Sequence, residues 1–394
     1  MKIGIFTLAL AYMLSQFYRA FLAVLAPALE ADIGARPDQL SFASGLWFLA
    51  FALMQLPVGW ALDRIGPRRT ASLLLALGGG GGALLFAVAQ SPLHVQGAMI
   101  LMGIGCAPVL MASYYIFARS LPPRVFATMA GAIIGFGSLG NIASSMPMAW
   151  ASETFGWRFS LFVLALITLA VAWAIFLLVT DPERPDHEAG AGGSVLSLLA
   201  LPALWFIFPM MFVNYAAAAG IRGLWIGPYL GEVFRADTAA IGQATLFMGL
   251  AMAAGNFAYG PLDRLFRTRK WVVFFGNLAG AATLFALWLN PAGGFWFAIL
   301  MMALLGLFAS SFPVIIAHAR SFVPPHLTGR GVTLLNLFGI GGAGILQALS
   351  GQVHAAAAAR ASTPAEAYQA LFLFFGGAVL AGTLLYLFSR DNTA

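Results

Sequence analysis

Charge is what this chain has least of. Only 9% of its 394 residues are Asp, Glu, Lys or Arg, where a soluble domain carries about 25%. With 61% of its residues hydrophobic, it lacks the polar groups to cover a water-facing surface. Most of the chain must therefore have lipid as its solvent. Cysteine is nearly absent: Cys106 stands alone, which excludes an intramolecular disulfide. Carboxylates are missing from the interior of every long apolar run. Glu30, Glu153 and Glu232 lie at run ends and the others in connecting segments. Membrane proton relays and cation sites commonly use such carboxylates, so both are disfavoured. There is no G-x-x-x-x-G-K-[ST] stretch to cradle a nucleotide. No nucleophile–base set or metal-ligand cluster falls within the runs, so neither an enzyme nor a cofactor is expected. Basic residues outnumber acidic ones by 20 to 14, yet they are scattered through short loops and form no basic face. That pattern excludes a nucleic-acid partner.

What is present is apolar length. A span needs about 20 apolar residues, and twelve runs qualify: 3–29, 39–62, 70–90, 95–118, 125–151, 158–180, 200–230, 239–262, 271–290, 295–319, 329–352 and 366–389. Helices are expected, because backbone polar groups in lipid must be bonded within the segment; the runs do not alternate as barrel strands would. The first run is interrupted by Gln16 and Arg19 and is too long for a simple leader. The longest polar stretch, Asp181–Ser194, is rich in Pro, Gly and charge and reads as a linker. The predicted organisation is a bundle over 1–180, a linker over 181–199 and a bundle over 200–394. Fourteen Lys and Arg fall on one set of loops and only Arg36, Arg158, Arg235 and Arg360 on the other. Both termini and the linker are therefore expected in the cytoplasm of a plasma (bacterial inner) membrane. A small solute and the bilayer are the expected partners, and a monomer the expected state.

The halves echo each other. Asp63-Arg64 follows the second run and Asp263-Arg264 the eighth. Pro27 precedes Asp63 by 36 residues, and Pro228 precedes Asp263 by 35. Both loops continue into basic residues. Such a repeat marks a duplicated transporter fold. The segment Gly59-Trp-Ala-Leu-Asp63-Arg64-Ile-Gly66-Pro-Arg68-Arg69 resembles the loop signature of the major facilitator superfamily, G-x-x-x-D-R-x-G-x-R-R. The second copy is degenerate, with Tyr259 and Phe266 at the glycine positions; Gly156-Trp157-Arg158 also resembles the family. The resemblance implies an all-α membrane protein of twelve transmembrane helices in two pseudo-symmetric six-helix bundles. It implies that Gly59, Asp63, Arg64, Gly66, Arg68, Arg69, Asp263 and Arg264 work as a gate, not as a substrate site. Gly59 is expected at a close helix contact and Gly66 at a tight turn. Drug–proton antiporters of the family carry an Arg in the fourth span and a G-P-x-x-G-G in the fifth. Here Gln96–Gly105 has no Arg, and the fifth span reads Gly135-Phe-Gly137-Ser-Leu-Gly140-Asn141.

Arg19 lies deep in the first span, where an Arg costs about 2.5–3.5 kcal/mol on insertion scales. Tyr12, Gln16 and Arg19 recur at i, i+4 and i+7 and are expected on one helical face. A guanidinium there can fork onto a carboxylate or phosphate, or bond carbonyls of a neighbouring helix. Tyr18-Arg19 followed by Pro27 resembles the first span of organophosphate/phosphate antiporters. Their second Arg falls at Gly220 here, with Arg222 two residues away. In the seventh span Asn214, Ala218 and Arg222 recur every four residues, with Tyr215 adjacent. Arg222 is either a site residue or snorkels outward, and Trp225 and Tyr229 read as an interfacial aromatic belt. Asn141, Asn256, Asn336 and Gln347 complete the candidate lining, or else bond between helices; Asn336 and Gln347 share a face. His318 reads as a solvated residue at a span end. Met99, Met102, Cys106, Met248 and Met252 could hold Cu(I) but fit core packing better. Gly78–Gly82, and Gly131 with Gly135, read as close helix contacts.

The leading expectation is a secondary active transporter of a small anionic solute, working by alternating access. Efflux of amphipathic compounds, Cu(I) import, and a transporter-like sensor or assembly factor are the alternatives.

Overall fold

The computed structural model describes residues 2–120, 122–182, 198–324 and 328–392, with side chains described except at Lys2, 123–128, Arg264, 328–330 and Val332. Among the described residues, eleven helices are long and apolar enough to cross a membrane, and a bent pair taken as one span makes a twelfth. No strand occurs among the described residues. The bent pair is α1 (Lys2–Phe17) and α2 (Leu22–Ile33), which meet at 52°. The first half continues with α3 (Pro37–Arg64), α4 (Pro67–Ala87), α5 (Pro92–Ser120), α6 (Met129–Phe155) and α7 (Trp157–Leu178). The second half holds α8 (Pro202–Phe234), α9 (Thr238–Asp263), α10 (Lys270–Leu289), α11 (Phe295–Arg320), α12 (Thr333–Ala358) and α13 (Pro364–Tyr386). Proline opens five of these helices, at a position where its missing N–H costs nothing.

The chain forms two compact units, residues 1–187 with 238–243 and residues 188–237 with 244–394. Most of the expected linker, 183–197, lies outside the described residues.

Without a hydrophobic force between helices in lipid, small residues that let backbones approach decide which faces meet. In the first unit, Gly78 and Gly82 of α4 lie against α5, while Gly79 and Gly80 face Thr168 and Leu169 of α7. A Cβ on Gly82 would stand 2.8 Å from Met102 Cγ and 2.9 Å from the Ala98 carbonyl. Leu75–Gly80 makes a π-helical turn at this seam. In α6 the expected contact through Gly131 and Gly135 does not form, for both face open space. The approach to α1 is made instead by Gly137, against the Tyr12 ring, and Gly140, against the Met13 carbonyl. Which face of α6 meets α1 depends on tertiary register, and the G-x-x-x-G spacing alone does not carry that information. The outward faces are apolar: Phe159, Phe162 and Trp173 of α7 and Phe257, Phe275 and Trp296 of the second unit are exposed, as lipid contact requires.

Two expectations about the second unit are overturned. Trp225 and Tyr229 are not an interfacial belt: both are buried. Trp225 Nε1 donates to Ser350 Oγ at 2.8 Å, and the Tyr229 hydroxyl donates to the Pro291 carbonyl at 2.5 Å. Their rings pack with His354, Tyr368 and Phe372. His318 is not solvated. It is fully buried, with Nδ1 against the Tyr386 hydroxyl at 2.5 Å and Nε2 against the Arg390 carbonyl at 2.8 Å. In both cases a polar tip found a partner within the bundle, so the ring could be buried whole.

Candidate functional site

Arg19 falls in the break of the first span. The helix loosens after Phe17: Tyr18 N still bonds the Leu14 carbonyl, but Ala20 N and Phe21 N share the Phe17 carbonyl, at 3.0 and 3.2 Å. The expected single face of Tyr12, Gln16 and Arg19 therefore holds only for the first two, which are joined by a 2.9 Å bond from Gln16 Nε2 to the Tyr12 hydroxyl. Arg19 leaves the helix at the turn. Its guanidinium lies 5.2 Å from the Trp47 ring and 4.8 Å from the Phe51 ring, both on α3. Those rings stack on each other at 5.2 Å, so they form one π-surface beneath the cation. Among the described residues Arg19 makes no ion pair, and its buried Nε has no hydrogen-bond partner. Cys106 of α5 is buried nearby, facing Ser15 and Arg19. The chemistry on offer is a fixed cation with hydrogen-bond donors to spare and no carboxylate to neutralise it. Trp47 and Phe51 were missed in the sequence; a Trp and Phe four apart are too common to signal a cation platform.

In the second unit, Arg222 does not snorkel outward. It is buried within a π-helical turn, Ile221–Trp225, a kind of bulge that recurs at functional sites. A Cβ on Gly249 would stand 3.1 Å from its Nε and Nη2. The space beside Gly220 is taken by the Gln347 carboxamide, which is itself buried. Asn214 is a bundle residue: its Nδ2 donates to Asn277 Oδ1 at 2.7 Å and Ser311 Oγ at 2.9 Å, and Asn277 Nδ2 donates to Ser311 Oγ at 3.0 Å. Tyr215 packs edge-on against Phe312. Asn141 is half-buried in α6, its carbonyl accepting from Ser144 and Ser145. Asn256 is exposed and Asn336 half-buried, while Gln347 is fully buried, so the last two do not share an environment. Met99, Met102 and Cys106 are buried in the first unit. Met248 and Met252 pack on Gly306 in the second.

The paired loops have unlike partners. Asp63 faces Arg119 of α5 at 3.8 Å, and Arg119 covers the Tyr115 ring. Asp263 pairs with Arg269 of its own loop at 3.5 Å. Gly59 faces open space, not the expected helix contact, whereas its counterpart Tyr259 is buried and donates to the Phe308 carbonyl at 2.9 Å. Gly66 has φ +101°, and a Cβ there would stand 2.8 Å from the Asp181 carboxylate. Arg64 and Arg69 are exposed, Arg68 lies 5.3 Å from the Phe176 ring, and the Arg264 side chain is outside the described residues. A symmetric device escaped the sequence. Asp181, after α7, accepts from the Arg68 backbone N–H at 2.7 Å and so caps α4. Asp391, after α13, accepts from the N–H groups of Arg269 and Lys270 at 3.3 and 3.1 Å and from the Thr268 hydroxyl, and so caps α10. Each carboxylate is over a hundred residues from the helix it caps, beyond the reach of any local pattern.

The family model of the major facilitator superfamily matches residues 8–226 and, in a second copy, 207–394. The chain belongs to the major facilitator superfamily. It is 23% identical over 312 residues to the mouse MFS-type transporter SLC18B1, covering 73% of this chain and 66% of that one. It is 22% identical over 300 residues to the probable sulfoacetate transporter SauU of Cupriavidus necator, covering 70% and 69%. The chain thus spans about two thirds of the length of these relatives. A D-xylose–proton symporter shares the fold at a TM-score of 0.78 and 15% identity, covering 99% of this chain and 98% of that one. This membership makes the chain a multi-pass protein of a transporter family and not an enzyme.

Proposed function

We propose that this protein is a secondary transporter that moves a small organic anion by alternating access, with Arg19 as the anion contact. The carrying observation is the Arg19 guanidinium, placed in a helix break on the Trp47–Phe51 surface with no ion pair among the described residues. Placing a cation in a span is costly. A carboxylate or sulfonate ligand offsets that cost by accepting two charge-assisted bonds. The name of the Cupriavidus relative, a probable transporter of the sulfonate-carboxylate sulfoacetate, agrees with this class. In this reading the loops bearing Asp63 and Asp263 form gates on the cytoplasmic side. Tyr12, Gln16 and Asn141 of the first unit and Tyr215, Arg222, Asn256, Asn336 and Gln347 of the second remain candidate linings.

The test is uptake of labelled sulfoacetate, acetate and benzoate into proteoliposomes. A charge-assisted hydrogen bond contributes about 1.5–3 kcal/mol, so Arg19→Ala should weaken uptake of the transported anion by about 10- to 100-fold. Arg19→Lys should retain an intermediate rate. Equal uptake by wild type and Arg19→Ala would sink the assignment.

A further inference from the structure

We propose that Tyr18 and Thr168 are positioning residues for the anion contact: their buried hydrogen bond fixes the break in the first span, and with it the direction of Arg19. This rests on reading Arg19 as the anion contact.

Tyr18 immediately precedes Arg19, and both Tyr18 and Thr168 are fully buried. The Tyr18 hydroxyl lies 2.8 Å from Thr168 Oγ1, and Thr168 Oγ1 lies 2.8 Å from the Leu164 carbonyl. A threonine hydroxyl has one hydrogen. A carbonyl can only accept, so that hydrogen goes to Leu164, and the Tyr18 phenol must donate into Thr168. The bond thus has one polarity and joins the turn to α7.

The turn is buried, but few directional bonds hold it. The backbone from Tyr18 to Phe21 is loosely bonded, with two N–H groups sharing the Phe17 carbonyl. Phe21 contributes ring contacts with Phe17 at 5.9 Å and Phe86 at 5.3 Å, which resist separation but not rotation. Among the described residues, the Tyr18 phenol is the one polar side-chain bond from the turn 18–21 to another helix. The rings beneath Arg19 act likewise: a cation held over a π-surface can slide across it at little cost. The aim of the guanidinium is then set by where its own Cα sits, one residue from the Tyr18 pin.

Tyr18→Phe removes the donor, keeps the ring and leaves Thr168 bonded to Leu164. Thr168→Val orphans the buried phenol and should harm folding; the double variant Tyr18→Phe/Thr168→Val removes both partners and should regain stability. Purified full-length protein is titrated with sulfoacetate, and its uptake is resolved into half-saturation and maximal rate. Tyr18→Phe should raise the half-saturation concentration about fivefold, the loss of one buried neutral hydrogen bond, with the maximal rate little changed. The double variant should match it. A lowered Tm with wild-type affinity in Tyr18→Phe would show a merely structural bond and overturn the pin. An Arg19→Ala control separates the two layers. Weakened binding there with wild-type binding in Tyr18→Phe overturns the pin alone. Wild-type binding in both overturns the Arg19 assignment and the pin with it.

Discussion

In the first half the loop after α3 turns at Gly66, with φ +101°; in the second the corresponding loop turns one residue later, at Arg267, with φ +52°. The first conformation suits glycine almost exclusively, whereas the second is a left-handed helical value that other residues tolerate at a cost. That shift explains why Phe266 can replace the second glycine of the signature without penalty. The aspartates differ in the same sense. Asp63 is largely exposed and reaches across to Arg119 of another helix, while Asp263 is largely buried and pairs within its own loop. Gly59 faces open space where Tyr259 is packed and bonded. The aspartate of the second loop is thus paired within that loop, and the aspartate of the first is paired with another helix. A degenerate motif here reflects a different local solution, not simple decay.

The cations of the two halves should separate most sharply. Arg19 is half-buried over two rings, so Arg19→Ala should cost uptake 10- to 100-fold, as above, while thermal stability in detergent changes little. Arg222 is buried, and Arg222→Ala would leave a void beside Gly249; a stability loss of about 2 kcal/mol is expected. Equal stability losses in the two variants would break the contrast.

Next comes the turn. Gly66→Ala adds strain of about 1–3 kcal/mol and drives a methyl into Asp181, so its unfolding midpoint should fall by several degrees. Arg267→Gly, by relieving a mild strain, should stay within about 1 kcal/mol of wild type. A comparable loss in both would show the loops to be equivalent.

The caps sharpen the comparison further. Asp391 takes three donors and Asp181 one described backbone N–H, so Asp391→Asn should cost more than Asp181→Asn, each within about 0.5–2 kcal/mol. Burial alone would raise the Asp391 carboxyl. The Thr268 hydroxyl and the N–H groups of Lys270 and Arg269 outweigh it and hold the group below the usual carboxylate range. The folded state therefore takes up this proton at lower pH than the unfolded chain. The cap contributes fully above the ordinary carboxylate value of about 3.9 and fades as pH falls through the lowered one. The stability gap between wild type and Asp391→Asn should accordingly close in acid.

The spans, the duplicated halves and the oddity of Arg19 were legible because each is a local or periodic signal. Apolar length reports lipid directly, and a cation inside such a run is conspicuous. What was not legible depends on packing between distant segments. Trp225, Tyr229 and His318 look like interface or solvent residues until Ser350, Pro291, Tyr386 and Arg390 are placed around them. Asp181 and Asp391 read as loop charges until the ends of α4 and α10 arrive beside them. Asn214 reads in the sequence as a candidate site residue, but its partners Asn277 and Ser311 lie on other helices, and together they make a hydrogen-bonded joint.

The glycine seam between α4 and α5 leaves a mark of another kind. A single-base change in a glycine codon that alters the residue always installs a larger side chain. At positions 78 and 82 the first added carbon meets the backbone of α5, at 79 and 80 it meets side-chain ends of Leu75, Thr168 and Leu169, and at 81 it meets little beyond its own helix. A saturation library selected for function should therefore show its darkest columns at 78 and 82 and its brightest between them at Gly81.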